Sequence, residues 1–292
     1  SFPGKSGAAY LERWVNIGSC VPDVSIRQTL QGIPNGKYRL RAAVGNIQQK
    51  GANSTVNAGG KQTGAVLFAG IYETPADTMK SQKFLYFTVV DGSVTIGFKT
   101  EKATGNWVCL DNFGLHYMGE NTPADYAAYL QHYVAYVRDR YLSMNMHETV
   151  RRQAEELLAA AEEAAAAQPL DEAAMSEAKA ALERIIETME HSSSFYAGLS
   201  QAIGYAEQVM GWYGEDEEKS GMMEEAIRKA KSALADPTLT EAGIEEARTA
   251  LQETTKVVDK KVYTAQWSMG NVGDPNNAYY IGRTRQSKNW IL

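Results

Sequence analysis

The chain has 292 residues, 44% of them apolar, and a formal net charge of -6 at pH 7. That length and composition suit two or more soluble packed domains, and no run of about eighteen apolar residues is present to form a transmembrane segment. The charge is unevenly divided: residues 1–119 hold 12 Lys and Arg against 7 Asp and Glu, while residues 120–260 hold 13 against 27. The first part has no Lys/Arg cluster and the second is acidic, so neither points to nucleic acid as a partner.

Residues 1–119 read as short strands separated by turn chemistry. The runs 8–15, 24–30, 37–47, 64–72, 83–90, 93–100 and 106–117 are rich in β-branched and aromatic residues. Pro34-Asn35-Gly36 and Asp91-Gly92 supply the positive φ angles that tight reversals need. Seven strands in this length predict a β-sandwich, with the polar stretches 48–63 and 73–82 as rim loops. Cys20 and Cys109 are the only cysteines, too few for a disulfide framework or a Cys-based zinc site. They read as a pair in an exported protein or as free thiols, one of them buried on a strand.

After Gly119 the pattern turns helical. Thr122-Pro123-Ala124-Asp125 is a helix start, with a capping hydroxyl, Pro at the first helical position and an acid in the first turn. At an offset of 69 residues the region matches itself: Leu130 with Leu199, Tyr136 with Tyr205, Ala161 with Ala230, Glu172 with Glu241 and Leu182 with Leu251. The duplication predicts two three-helix bundles in tandem, with helices at 123–143, 147–167 and 171–190, then 193–212, 218–235 and 240–260. Beyond Tyr263, Ala265 to Met269, Ala278 to Ile281 and Ser287 to Leu292 read as strands. The expected organisation is thus a multidomain all-β plus all-α chain. It comprises a β-sandwich at 1–119, three-helix repeats at 120–191 and 192–262, and a β-prone tail at 263–292 that is a linker or the start of a truncated further domain.

Ser25 to Leu30, Gly32 to Leu40, Gly64 to Gly70, Asp91 to Phe98 and Asn106 to Tyr117 together resemble the galactose-binding-like jelly-roll modules appended to exported polysaccharide-processing proteins of Gram-negative bacteria. The duplicated helices resemble three-helix repeats between domains of bacterial surface proteins and glycosidases. The resemblance implies a secreted or cell-surface location (periplasm or outer membrane), a polysaccharide or glycan as partner, and an adjacent domain of the same protein. Ser at position 1 agrees with a chain that has lost an export signal. In related modules an acid at the place of Asp111 helps hold a structural calcium, but the acidic N-terminal motif that completes such a site is not recognisable in Ser1 to Ala9. The other reading of Asp111 and Asn112 is that they satisfy loop backbone groups; no cofactor is certain.

Sugar recognition needs a flat aromatic face flanked by amides or carboxylates. Trp14, Trp107, Asn46, Gln48 and Gln49 offer that set, against the alternatives that both tryptophans are core residues and that the amides close a solvated loop. Glu155, Glu156, Glu162 and Glu163 read as solvated helix faces rather than catalytic pairs. No His spacing, nucleophile elbow or phosphate loop suggests catalysis. The expectation is a non-catalytic glycan-binding region on a helical spacer; the alternative is a structural or adhesive surface stalk that contacts protein and binds no sugar.

Overall fold

Eight strands and five helices follow one another in the computed structural model, which describes residues 2–212 and 217–269. The strands are β1 (Leu11–Trp14), β2 (Ser25–Gln31), β3 (Gly36–Ile47), β4 (Ala65–Ala69), β5 (Tyr72–Pro75), β6 (Lys80–Val89), β7 (Ser93–Thr100) and β8 (Trp107–Gly119). The helices are α1 (Pro123–Tyr141), α2 (Glu148–Ala166), α3 (Glu172–Trp212), α4 (Glu217–Ala235) and α5 (Glu241–Met269). The strands form two four-stranded sheets in the orders β1-β8-β3-β6 and β2-β7-β4-β5, and every pairing is antiparallel. The chain divides into two compact units, Ser1–Arg138 with Leu157–Ala181, and Asp139–Glu156 with Leu182–Leu292.

In the first unit, one core cluster draws on both sheets. Tyr38, Leu40, Ala42 and Val44 of β3 meet Leu67 and Ala69 of β4 and Ile96 and Phe98 of β7. Alternate residues of β3 point the other way, so Arg39, Arg41, Ala43 and Ile47 share the opposite face. There a smaller cluster of Phe2, Ala43, Ile47, Trp107 and Cys109 is covered by Tyr10 and Met79. The predicted strand at 64–72 is instead a hairpin. Gly70, with φ of 57°, reverses the chain, and Ala69 pairs with Tyr72. This places a short strand in what reads from sequence as the 73–82 loop. Helix α1 belongs to the same unit: His132 stacks on Tyr72 at 4.5 Å, and Lys37 reaches Asp125 at 3.1 Å. Lys179, near the start of α3, pairs with Asp91 in the β6–β7 turn at 2.9 Å.

The helical half carries its duplication into three dimensions, element by element. α2 and α4 are both 19 residues long and begin 69 positions apart, as do the starts of α3 and α5 at Glu172 and Glu241. Equivalent positions are equally buried: Leu130 and Leu199, Met175 and Ile244, Leu182 and Leu251, Met189 and Val258. In the second unit, one cluster joins α3, α4 and α5 through Leu199, Ile203, Met223, Ile227, Ile244 and Leu251.

Two further expectations are corrected. The break predicted between residues 190 and 193 does not exist, because α3 runs unbroken for 41 residues. Its buried stripe, Leu182, Ile185, Met189, Ser192, Tyr196, Leu199, Ile203 and Ala206, alternates steps of three and four straight through the serine-rich stretch. Ser192 fits that stripe because its hydroxyl accepts the His147 N–H at 3.1 Å. Likewise Ala265 to Met269, predicted as a strand, continue helix α5. The strands predicted at 278–281 and 287–292 lie outside the described residues. No helix among the described residues is long and apolar enough to cross a membrane.

Candidate functional site

A cleft of about 550 Å³ opens beside the β1 edge of the first sheet, lined by Tyr10, Glu12, Trp14, Asn16, Asn53 and Trp107, with Gln49 and Thr55. β1 and β8 build one wall. Their antiparallel register sets Trp14 opposite Trp107 and Glu12 opposite Cys109, so the four side chains share a face. Residues at this end of the sheet meet different fates. Trp107 is 5% exposed, and its indole N–H donates to Glu12 Oε2 at 2.8 Å. Trp14, on an edge strand with no further strand beside it among the described residues, is 62% exposed. Glu12 also bonds the Tyr10 hydroxyl, and burial, then the nearby Glu12 carboxylate, push the Tyr10 acidity to higher pH.

The facing wall is the 48–63 segment, ordered by its own backbone. An isolated bridge joins Gln49 and Asn57, and Lys50 N–H donates to Val56 C=O at 2.9 Å. Asn53 turns the tip with φ of 61°, a conformation asparagine tolerates better than most residues. Asn106, wholly buried, ties the two walls together. Its Oδ1 accepts the Gln49 N–H at 2.7 Å, and its Nδ2 donates to Val15 C=O and Gln49 Oε1, both at 3.0 Å. The three contacts account for all of its carboxamide's local geometry, so Asn106 positions the cleft rather than entering it.

Of the residues singled out in the sequence, the structure brings Trp14, Trp107 and Gln49 together at the cleft and uses Asn46 and Gln48 for framework. Asn46 is fully buried, with its Nδ2 donating to Thr63 C=O at 3.1 Å and its Oδ1 unbonded. Gly105 makes room for that oxygen, since a Cβ there would stand only 2.1 Å away. Gln48 is spent on the loop base. Its Nε2 donates to Ser19 and Thr104 carbonyls at 2.8 and 2.7 Å, and its Oε1 accepts the Gly18 N–H at 3.2 Å. The sequence reading missed Tyr10, Glu12, Asn16, Asn53 and Thr55. The alternation Tyr10, Glu12, Trp14 was the available signal, because period two puts all three on one face of a strand.

Both oxygens of Asp111 accept backbone hydrogen bonds. Its Oδ2 accepts the Ser6 N–H at 2.6 Å and its Oδ1 the Asn112 N–H at 2.7 Å, which leaves the carboxylate pinning the N-terminal segment to β8. Among the described residues no three His, Cys, Asp or Glu gather as metal ligands. Cys20 is exposed and Cys109 buried, both as free thiols; burial raises the Cys109 pKa. Glu155, Glu156, Glu162 and Glu163 all lie on exposed helix faces.

A second cavity, about 600 Å³ and mainly apolar, runs between α4 and α5 past Met222, Ala226, Leu239 and Ala247. Compared with known proteins, the chain matches no family model and no curated protein.

Proposed function

We propose that this chain is a non-catalytic accessory region of an exported polysaccharide-processing protein, secreted or held at a bacterial surface. In this reading the two sheets form a β-sandwich of jelly-roll type that binds glycan in the Trp14 cleft, and the duplicated helices form two three-helix bundles that act as a spacer to an adjacent domain. The single observation that carries it is the exposed Trp14 indole on an edge strand, beside a cleft whose other groups are a carboxylate, amides and hydroxyls. An apolar ring face set among fixed polar groups suits the C–H side of a pyranose and its hydroxyls. Binding of this kind is weak for one sugar, and tethering raises the local substrate concentration for a neighbour.

The test is titration of the full chain and its Trp14→Ala variant against a panel of plant and host polysaccharides. Binding lost in the variant supports the proposal, and a panel without a single binder sinks it. The other reading, an adhesive stalk without sugar binding, is favoured by the apolar groove between α4 and α5. Met222→Glu would abolish protein capture under that reading and leave glycan binding unchanged under the first.

A further inference from the structure

The first sheet has a second surface, separate from the Trp14 cleft, on the open half of its outer face. The N-terminal segment, held at Asp111 by the Ser6 N–H, covers one half of that face. The uncovered half is made of three neighbouring strands in register. Arg41 lies between Phe84 and Gly114, and Arg39 between Tyr86 and His116. The strands β3 and β6 carry no acid at all, and β8 carries only Asp111, which is engaged with backbone N–H groups. Neither arginine has a carboxylate within ion-pair reach among the described residues, and the Nε of each is buried without a hydrogen-bond partner. Arg39 lies over the Phe84 ring at 5.3 Å, and Arg41 donates to Asn112 Oδ1 at 3.3 Å, so both guanidinium groups are held in place.

Gly114 supplies the opening. The point where its Cβ would stand is 3.5 Å from Arg41 Nη2 and 3.6 Å from both Arg41 Nε and His116 Nε2, so nitrogen groups of two side chains flank the glycine. Across β3 from it, on β6, Tyr86 is 61% exposed and Phe84 38% exposed, giving apolar ring surface on the far side of the two arginines. A planar anion that accepts from a guanidinium group makes charge-assisted hydrogen bonds, which are the strong ones. We propose that this face binds an acidic polysaccharide through its uronic acid units, one carboxylate seated over Gly114 between Arg41 and His116 and a neighbouring sugar ring of the polymer against Tyr86 across β3. A carboxylate matches the planar guanidinium fork, and the exposed tyrosine ring accounts for a sugar rather than an acidic peptide as the bearer.

The experiment is calorimetric titration of the full chain with polygalacturonate, its fully methyl-esterified form, dextran sulfate and polyglutamate. Binding of the free-acid polymer alone is expected, because esterification removes the charge and keeps the ring. Arg41→Gln and Tyr86→Ala should each weaken it by about tenfold or more, from lost charge-assisted bonds and lost ring contact. Trp14→Ala should leave it unchanged. No binding to polygalacturonate, equal binding to its ester, or equal binding to dextran sulfate or polyglutamate overturns the assignment. Should Arg41→Gln fail to fold by circular dichroism, Tyr86→Ala decides, since its ring is largely in solvent. Neutral-glycan binding that survives Trp14→Ala, with polygalacturonate binding still lost in Arg41→Gln and Tyr86→Ala, would count against the cleft alone.

Discussion

Trp14 and Trp107 stand directly opposite one another across β1 and β8, yet one indole is in solvent and the other is sealed in a core. Their truncations should therefore part ways. Trp107→Ala should destabilise the fold by about 3–5 kcal/mol, whereas Trp14→Ala should change stability by no more than about 0.5 kcal/mol. Urea denaturation of the two variants checks this, and a large loss for Trp14→Ala would mean the ring is covered.

Asn106 joins β1 to the 48–63 segment through three hydrogen bonds, so Asn106→Ala strands the Gln49 N–H and the Val15 carbonyl. Both groups are partly buried, so each costs at most about 1–3 kcal/mol when orphaned. Amide hydrogen exchange should speed up at Gln49 and Lys50 while β2 and β7 stay protected. Uniform loss of protection across both sheets would contradict a local role.

Acid should loosen the α1 attachment before it unfolds the helices. Bonds from the Thr122 backbone and hydroxyl, and then from Lys37, hold the Asp125 carboxyl down at about 2, below its ordinary 3.8. A depressed carboxylate stabilises the fold fully above the unfolded value and loses that contribution as pH falls from about 3.8 to about 2. Melting temperature should fall through that window in the parent chain. The fall should be shallower in Asp125→Asn, and identical slopes would refute the assignment.

The continuity of α3 is open to a direct test at an exposed residue. Ser194→Pro removes one helical donor and clashes with the preceding turn, which costs about 3 kcal/mol or more inside a helix and little in a loop. A thermal melt close to that of the parent would restore the break expected between residues 190 and 193.

The sequence made much of this architecture legible, for identifiable reasons. Asp91-Gly92 sits between β6 and β7 as its positive-φ chemistry requires, and the 69-residue offset placed α2 and α4 because both copies keep the same start and the same apolar spacing. The duplication misled at 190–193, since dividing it into three helices per copy implies a break where the copies meet, whereas one helix carries the chain from the first copy into the second. Only the fold reveals that the His147 N–H waits for the Ser192 hydroxyl. The cleft was half visible for a similar reason. Two tryptophans within strands look alike until strand order makes β1 an edge, and Asn46 and Gln48, named as the opening of a polar loop, turn out to satisfy backbone carbonyls of Thr63 and of Ser19 and Thr104.

Gly105 and Asn46 are 59 positions apart in the chain but occupy one volume, because the absent methyl of the first is the room taken by the oxygen of the second. Neither can be exchanged for a larger group while the other stays as it is. Descendants of this protein should therefore keep the two together or alter them in concert, and such a linked substitution would mark the base of the 48–63 loop even where the loop itself has drifted beyond alignment.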